Sequence, residues 1–114
     1  MAAGEGGFRP TLLASQLTLN RRDRHVAFDE RRAPLTETEF DLLANLMKMP
    51  GRVFRREELL ARVWSSPRIQ PRTVDVNMAR LRAKLRRIAP GTRVIQTVWG
   101  IGYRYEPPQR ERAS

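Results

Sequence analysis

At 114 residues the chain can bury one modest core and not two, and its 22 Lys and Arg against 12 Asp and Glu leave a net charge of +10 and a pI near 11.5. That balance calls for a polyanionic partner, nucleic acid rather than a membrane, because no apolar run approaches a bilayer span and no signal-peptide segment opens the chain. The absence of Cys excludes disulfides, thiolate chemistry and Cys-based zinc sites together, so the expected class is a cytoplasmic module with no metal and no cofactor.

Residues 1–10 have the composition of a flexible linker or a vector-derived remnant. A folded domain is expected over 11–107. From Thr11 to Leu35 short apolar-polar alternations, separated by polar turns, predict a four-stranded antiparallel meander: Thr11 to Ser15, Leu17 to Asn20, Arg24 to Phe28, and Arg32 to Leu35. Thr36 with Glu39 three residues later forms a capping box, and Leu35 can staple onto Phe40, so a first helix begins there. Phe40, Leu43, Leu46 and Met47 are its buried stripe, and Pro50-Gly51 ends it. Val53 and Phe54 read as an apolar anchor within the connection to a second helix. In that helix Glu57 and Glu58 complement the N-terminal dipole, and Leu59, Leu60, Val63 and Trp64 make its apolar contacts.

Ser65 to Pro71 is a loop by its serines and prolines. Beyond it lies the most informative stretch, Arg72 to Ile88. Val74, Met78, Leu81, Leu85 and Ile88 recur at alternating steps of four and three, which at about 100° per residue is one narrow helical stripe, the predicted buried face. The opposite face carries Arg72, Val76, Ala79, Arg80, Ala83, Arg86 and Arg87, flanked by Thr73 and Arg82. Six Lys or Arg against Asp75 put +5 on these 17 residues, half the charge of the chain. Arginines around a low middle of Val76, Ala79 and Ala83 suit the DNA major groove, where long cations reach guanine edges or phosphates and short side chains let the backbone approach. Pro90-Gly91 closes the helix. Arg93 to Val98, a turn over Trp99 to Gly102, and Tyr103 to Glu106 then read as a β-hairpin, with a frayed tail over 108–114.

Three helices with a basic third one, followed by a hairpin, is the order of a winged helix-turn-helix of the α+β class. The stretches Leu35 to Leu43, Pro50 to Phe54, Glu58 to Trp64, Arg72 to Val76 with Arg80-Leu-Arg82 and Lys84-Leu85, and Gln96-Thr-Val98 with Gly100 to Arg104 resemble the effector domain of OmpR/PhoB-type response regulators. The match spans about Leu12 to Glu106. The resemblance implies a sequence-specific transcription factor, not an enzyme, that binds tandem half-sites of double-stranded DNA as a homodimer and touches RNA polymerase through loop 65–71. It also implies phosphate contacts from Trp64, Arg72 and Thr73, base reading by Val76, Ala79, Arg80 and Ala83, flanking phosphate contacts from Arg82, Arg86 and Arg87, and a backbone contact from Thr97. A receiver domain precedes this one in most members of the two-component family; the chain is expected to be such an output domain excised, or else a stand-alone winged-helix factor.

Three positions depart from the family pattern. Trp99 stands where wings usually carry a basic residue, so it either packs on a sugar face of the DNA or covers the core, and Arg93 or Arg104 would have to supply the missing cation. Arg55 replaces the serine that commonly caps the second helix, at a cost of about 1 kcal/mol. Loop 65–71 has no acid and contains Arg68. Catalysis lacks candidates, with one His, no Cys and acids gathered at helix starts. A general RNA-binding protein would rely on exposed stacking aromatics or long basic tails, whereas these aromatics fall mostly on predicted core positions. A pure protein-interaction module leaves the basic helix unexplained.

Overall fold

The computed structural model describes residues 16–108. Three strands come first, β1 (Leu17–Asn20), β2 (His25–Phe28) and β3 (Arg31–Pro34), in one antiparallel sheet of order β1-β2-β3. Their alternation turns Leu17, Val26, Phe28 and Ala33 into the core, as a half-buried sheet requires. The expected strand from Thr11 to Ser15, the linker over 1–10 and the tail beyond 108 lie outside the described residues, whereas Pro108, assigned by sequence to the head of that tail, is buried. Leu35, expected to end the third strand, lies just past it and donates its N–H to the Arg24 carbonyl at 3.0 Å.

Helix α1 (Glu37–Lys48) starts on the predicted capping box. The Glu39 N–H donates to Thr36 Oγ1 at 3.1 Å, and the Thr36 N–H donates to Glu39 Oε1 at 2.9 Å. Glu39 does a second job that the sequence did not disclose: only 2% exposed, it accepts a 2.5 Å hydrogen bond from Lys84 Nζ on the third helix. Burial pushes its carboxyl up, but the Lys84 and Thr36 hydrogen bonds outweigh that and hold it below the ordinary carboxylate value.

Strand β4 (Phe54–Arg55) leads directly into α2 (Arg56–Val63), and after the loop comes α3 (Arg72–Ile88). Strands β5 (Ile95–Val98) and β6 (Gly102–Tyr105) form the expected hairpin, which is the larger part of a three-stranded sheet of order β4-β6-β5. Phe54, expected in a connection, is thus a fully buried strand residue paired with Tyr103. Gly102 is what permits the pairing, since a Cβ there would lie 1.9 Å from the Phe54 carbonyl oxygen. No side chain caps α2 at Arg55, as expected; acids in its first turn stand in, and Glu58 holds Arg52 at 2.7 Å and Arg62 at 3.4 Å. The Arg52 hydrogen bond foremost keeps the Glu58 carboxyl below its usual range.

All five residues of the predicted α3 stripe are buried. Burying each contributes about 1.5 to 3 kcal/mol, so half a turn of rotation would lose on the order of 10 kcal/mol and bury arginines as well. The orientation of the basic face is therefore fixed by the apolar one. Arg31 adds a tie at the far end, donating to the Arg87 carbonyl at 3.2 Å, where a cation complements the helix terminus.

Candidate nucleic-acid interface

With its stripe held down by α1 and α2, α3 turns Arg72, Val76, Ala79, Arg80, Arg86 and Arg87 to solvent, and Ala83, Thr73 and Arg82 are half-buried along the same side. Val76 is 46% exposed, a degree that core packing does not account for in an apolar side chain. The helix is about 25 Å long at 1.5 Å per residue, enough to cross a major groove with both ends near phosphates. Thr73 is set by the helix start, its N–H bonded to the Gln70 carbonyl at 2.9 Å. The Asn77 side-chain amide donates back to the Thr73 carbonyl at 2.9 Å and is a local helix contact.

The wing stands beside α3. Between them runs a groove of about 810 Å³ whose walls include Arg82, Arg86, Arg93, Gln96, Thr97 and Trp99. Trp99 sits at the turn and is 87% exposed, so of the two readings open to it, covering the core is excluded. Gly100 follows with φ +81°, a left-handed turn that glycine adopts without steric cost, and the Ile101 N–H closes the turn onto the Val98 carbonyl at 2.9 Å. Arg104, one candidate for the missing wing cation, is committed elsewhere: its Nε and terminal nitrogen both donate to Gln96 Oε1, at 3.0 and 2.8 Å, across the β5–β6 pair. Arg93 remains exposed beside the groove.

Two of the expected contacts meet each other. Arg82 donates to Thr97 Oγ1 at 2.6 Å and lies 5.3 Å from the centre of the Tyr103 ring. Behind them, Asp75 accepts from the Tyr103 hydroxyl at 2.6 Å and from Arg56 at 2.8 Å. Burial, then the Asp75 hydrogen bond and charge, push the Tyr103 phenol up to about 12, so it stays a donor at any physiological pH. Sequence alone showed Asp75 only as one acid among arginines; an acid in the first turn of a basic helix was the available signal, but its partners are 19 and 28 residues away. Trp64, for which the sequence left a phosphate contact and a core role open, is half-buried at the C-cap of α2 and packs on the core's edge. With Leu60, Ala61, Pro67 and Ile69 it lines a shallow cup of about 430 Å³ under loop 65–71.

Among the described residues no group of three or more His, Cys, Asp or Glu is placed to hold a metal ion, and no helix is long and apolar enough to cross a membrane. Comparison with known proteins gives a consistent result. The family model for the C-terminal part of transcriptional regulatory proteins matches residues 30–105. The transcriptional regulatory protein SrrA of Staphylococcus aureus is 39% identical over 100 residues, which is 86% of this chain and 42% of that protein, so the chain spans less than half of that relative. The AdeR response-regulator DNA-binding domain, solved in complex with an intercistronic region, superimposes with a TM-score of 0.72 at 28% identity over 85% of this chain and 100% of that one. The RstA DNA-binding domain of Klebsiella pneumoniae, solved in complex with the RstA box, gives 0.67 at 30% identity over 84% and 96%.

Proposed function

The chain belongs to the family of C-terminal effector domains of transcriptional regulatory proteins, the OmpR/PhoB type, and on that premise we propose how its residues engage double-stranded DNA to regulate transcription. Helix α3 enters the major groove with Val76, Ala79 and Ala83 against the bases and Arg80 reaching a guanine edge. Arg72 and Thr73 at its start, Trp64 at the C-cap of α2, and Arg86 and Arg87 at its far end contact phosphates on either side. The wing follows the backbone, with Thr97 near a phosphate and Trp99 against the sugar edge of the adjacent minor groove. The described residues 16–108 present this surface.

One observation carries the reading: α3 buries its whole apolar stripe while Arg72, Val76, Ala79 and Arg80 stand exposed on the opposite side. Arg72 and Arg80 on either side of the short Val76 and Ala79 combine long cations with a low middle, the relief that lets the helix backbone approach base edges.

In the same reading the chain is the output domain of a cytoplasmic two-component regulator, without catalytic activity of its own. Two copies occupy tandem half-sites, and loop 65–71 faces RNA polymerase. Selection of bound sites from a random duplex pool tests the proposal. Recovery of a direct repeat with half-sites about one helical turn apart is the expected result. Retention of random sequence, or displacement of the bound duplex by single-stranded RNA, would overturn it.

A further inference from the structure

Arg82 and Thr97 lie on different elements and both stand at the groove between α3 and the wing. The 2.6 Å bond from the guanidinium to Thr97 Oγ1 uses the hydroxyl as acceptor. A hydroxyl has one proton to give besides its acceptor lone pairs, so Thr97 keeps a donor free to point away from Arg82, toward the open groove. Accepting from a cation polarises the O–H and strengthens it as a donor, and an anion is the acceptor that gains most from this. The guanidinium is itself held in place, lying over the Tyr103 ring, while the Tyr103 hydroxyl is bonded to Asp75 and Asp75 to Arg56. A continuous brace thus runs from the start of α2 through α3 to the wing.

We propose that Arg82 is a positioning residue that acts on DNA through Thr97, orienting that hydroxyl as the wing's donor to a single phosphate while its brace on Tyr103 sets the spacing between wing and α3. The inference rests on the reading that α3 and the wing straddle one duplex. It departs from the resemblance, which gives Arg82 and Thr97 separate contacts with the backbone. Two residues acting in series lose their contribution once; two acting in parallel lose it twice.

A double-mutant cycle separates these cases, with fluorescence anisotropy on a duplex recovered by selection from a random pool. The variants are Arg82→Met, whose apolar stem still covers the Tyr103 ring, Thr97→Val, which keeps the shape without the hydroxyl, and the pair together. Each single change is expected to weaken binding on the order of tenfold, and the double to be no more than about twofold weaker than the worse single. Thr97→Ser, which restores a hydroxyl, should bind within about threefold of wild type. Thermal unfolding identifies a variant that has lost its fold; should Arg82→Met do so, Arg82→Leu, which also lacks a donor, takes its place in the same cycle. Losses that multiply to about a hundredfold, or a Thr97→Val protein that binds like wild type, overturn the series arrangement. Wild-type protein that selects no duplex overturns the DNA reading beneath it, so the two failures are distinguishable.

Discussion

Salt is the perturbation that weighs the arginine face most directly. Arg72, Arg86 and Arg87 are the exposed α3 cations assigned to phosphates, two at the far end of the helix and one at its start. Each neutralised phosphate releases condensed counterions and adds roughly 0.9 to the slope of log affinity against log salt, so one protomer on one half-site should show a slope near −2.7. Raising salt from about 50 to 200 mM then costs on the order of 40-fold in affinity. Arg80, the base reader, and any wing contact can only steepen this. The assay is anisotropy of a labelled half-site duplex across a salt series. In the same series Arg86→Ala should flatten the slope by about 0.9 and weaken specific and random duplexes alike. A wild-type slope shallower than about −1, or an Arg86→Ala slope equal to wild type, would mean that these arginines are solvated surface and would refute the assignment.

Arg80→Ala should lose about 1 to 3 kcal/mol on the selected site and relax preference at one base pair; uniform losses on every sequence would make Arg80 a backbone contact instead. Trp99 should change environment when DNA binds, so in a Trp64→Phe background, where it is the remaining indole, saturating duplex should shift or quench its emission, and an unchanged spectrum would place the wing tip in solvent. Because the folded Glu39 carboxyl lies below its ordinary value of 4.5, it contributes stability that is complete above that value and lost as pH falls through the folded one. Thermal melts of wild type and Lys84→Met should therefore differ near neutrality and converge as pH falls through the folded Glu39 value, below 4.5, and a gap that persists once Glu39 is protonated would assign the Lys84 contribution to packing. Gly102→Ala should destabilise the fold by about 1 to 3 kcal/mol, measured by denaturant unfolding, because its Cβ meets the Phe54 carbonyl at 1.9 Å.

The parts of this molecule that sequence revealed are those whose cause is local. A stripe recurring at helical spacing specified which side of α3 is down, and all five of its residues are buried. The Thr36 and Glu39 pair specified where α1 begins, and both capping bonds are made. Strand β4 was missed because two residues carry no periodicity; what makes Phe54 a strand residue is a partner 49 positions later, Tyr103. Leu42 was missed because α1 packs against α2, α3 and β6, burying a wider face than a single stripe implies. The same limit applied to the interface. Arginines and small residues on one side of a helix are readable as a docking face, but the Arg82–Thr97 bond, Lys84 on Glu39 and Asp75 between Arg56 and Tyr103 depend on how separate elements meet.

Methylation interference on a selected duplex would test the central assignment, because one reaction modifies both grooves: guanine N7 lies in the major groove and adenine N3 in the minor. The account predicts that N7 methylation of one guanine per half-site blocks binding of wild-type protein and no longer matters to Arg80→Ala, with adenine N3 effects confined to the flank beside the wing. Interference only at adenine N3, with every guanine N7 tolerated, would show that α3 does not enter the major groove.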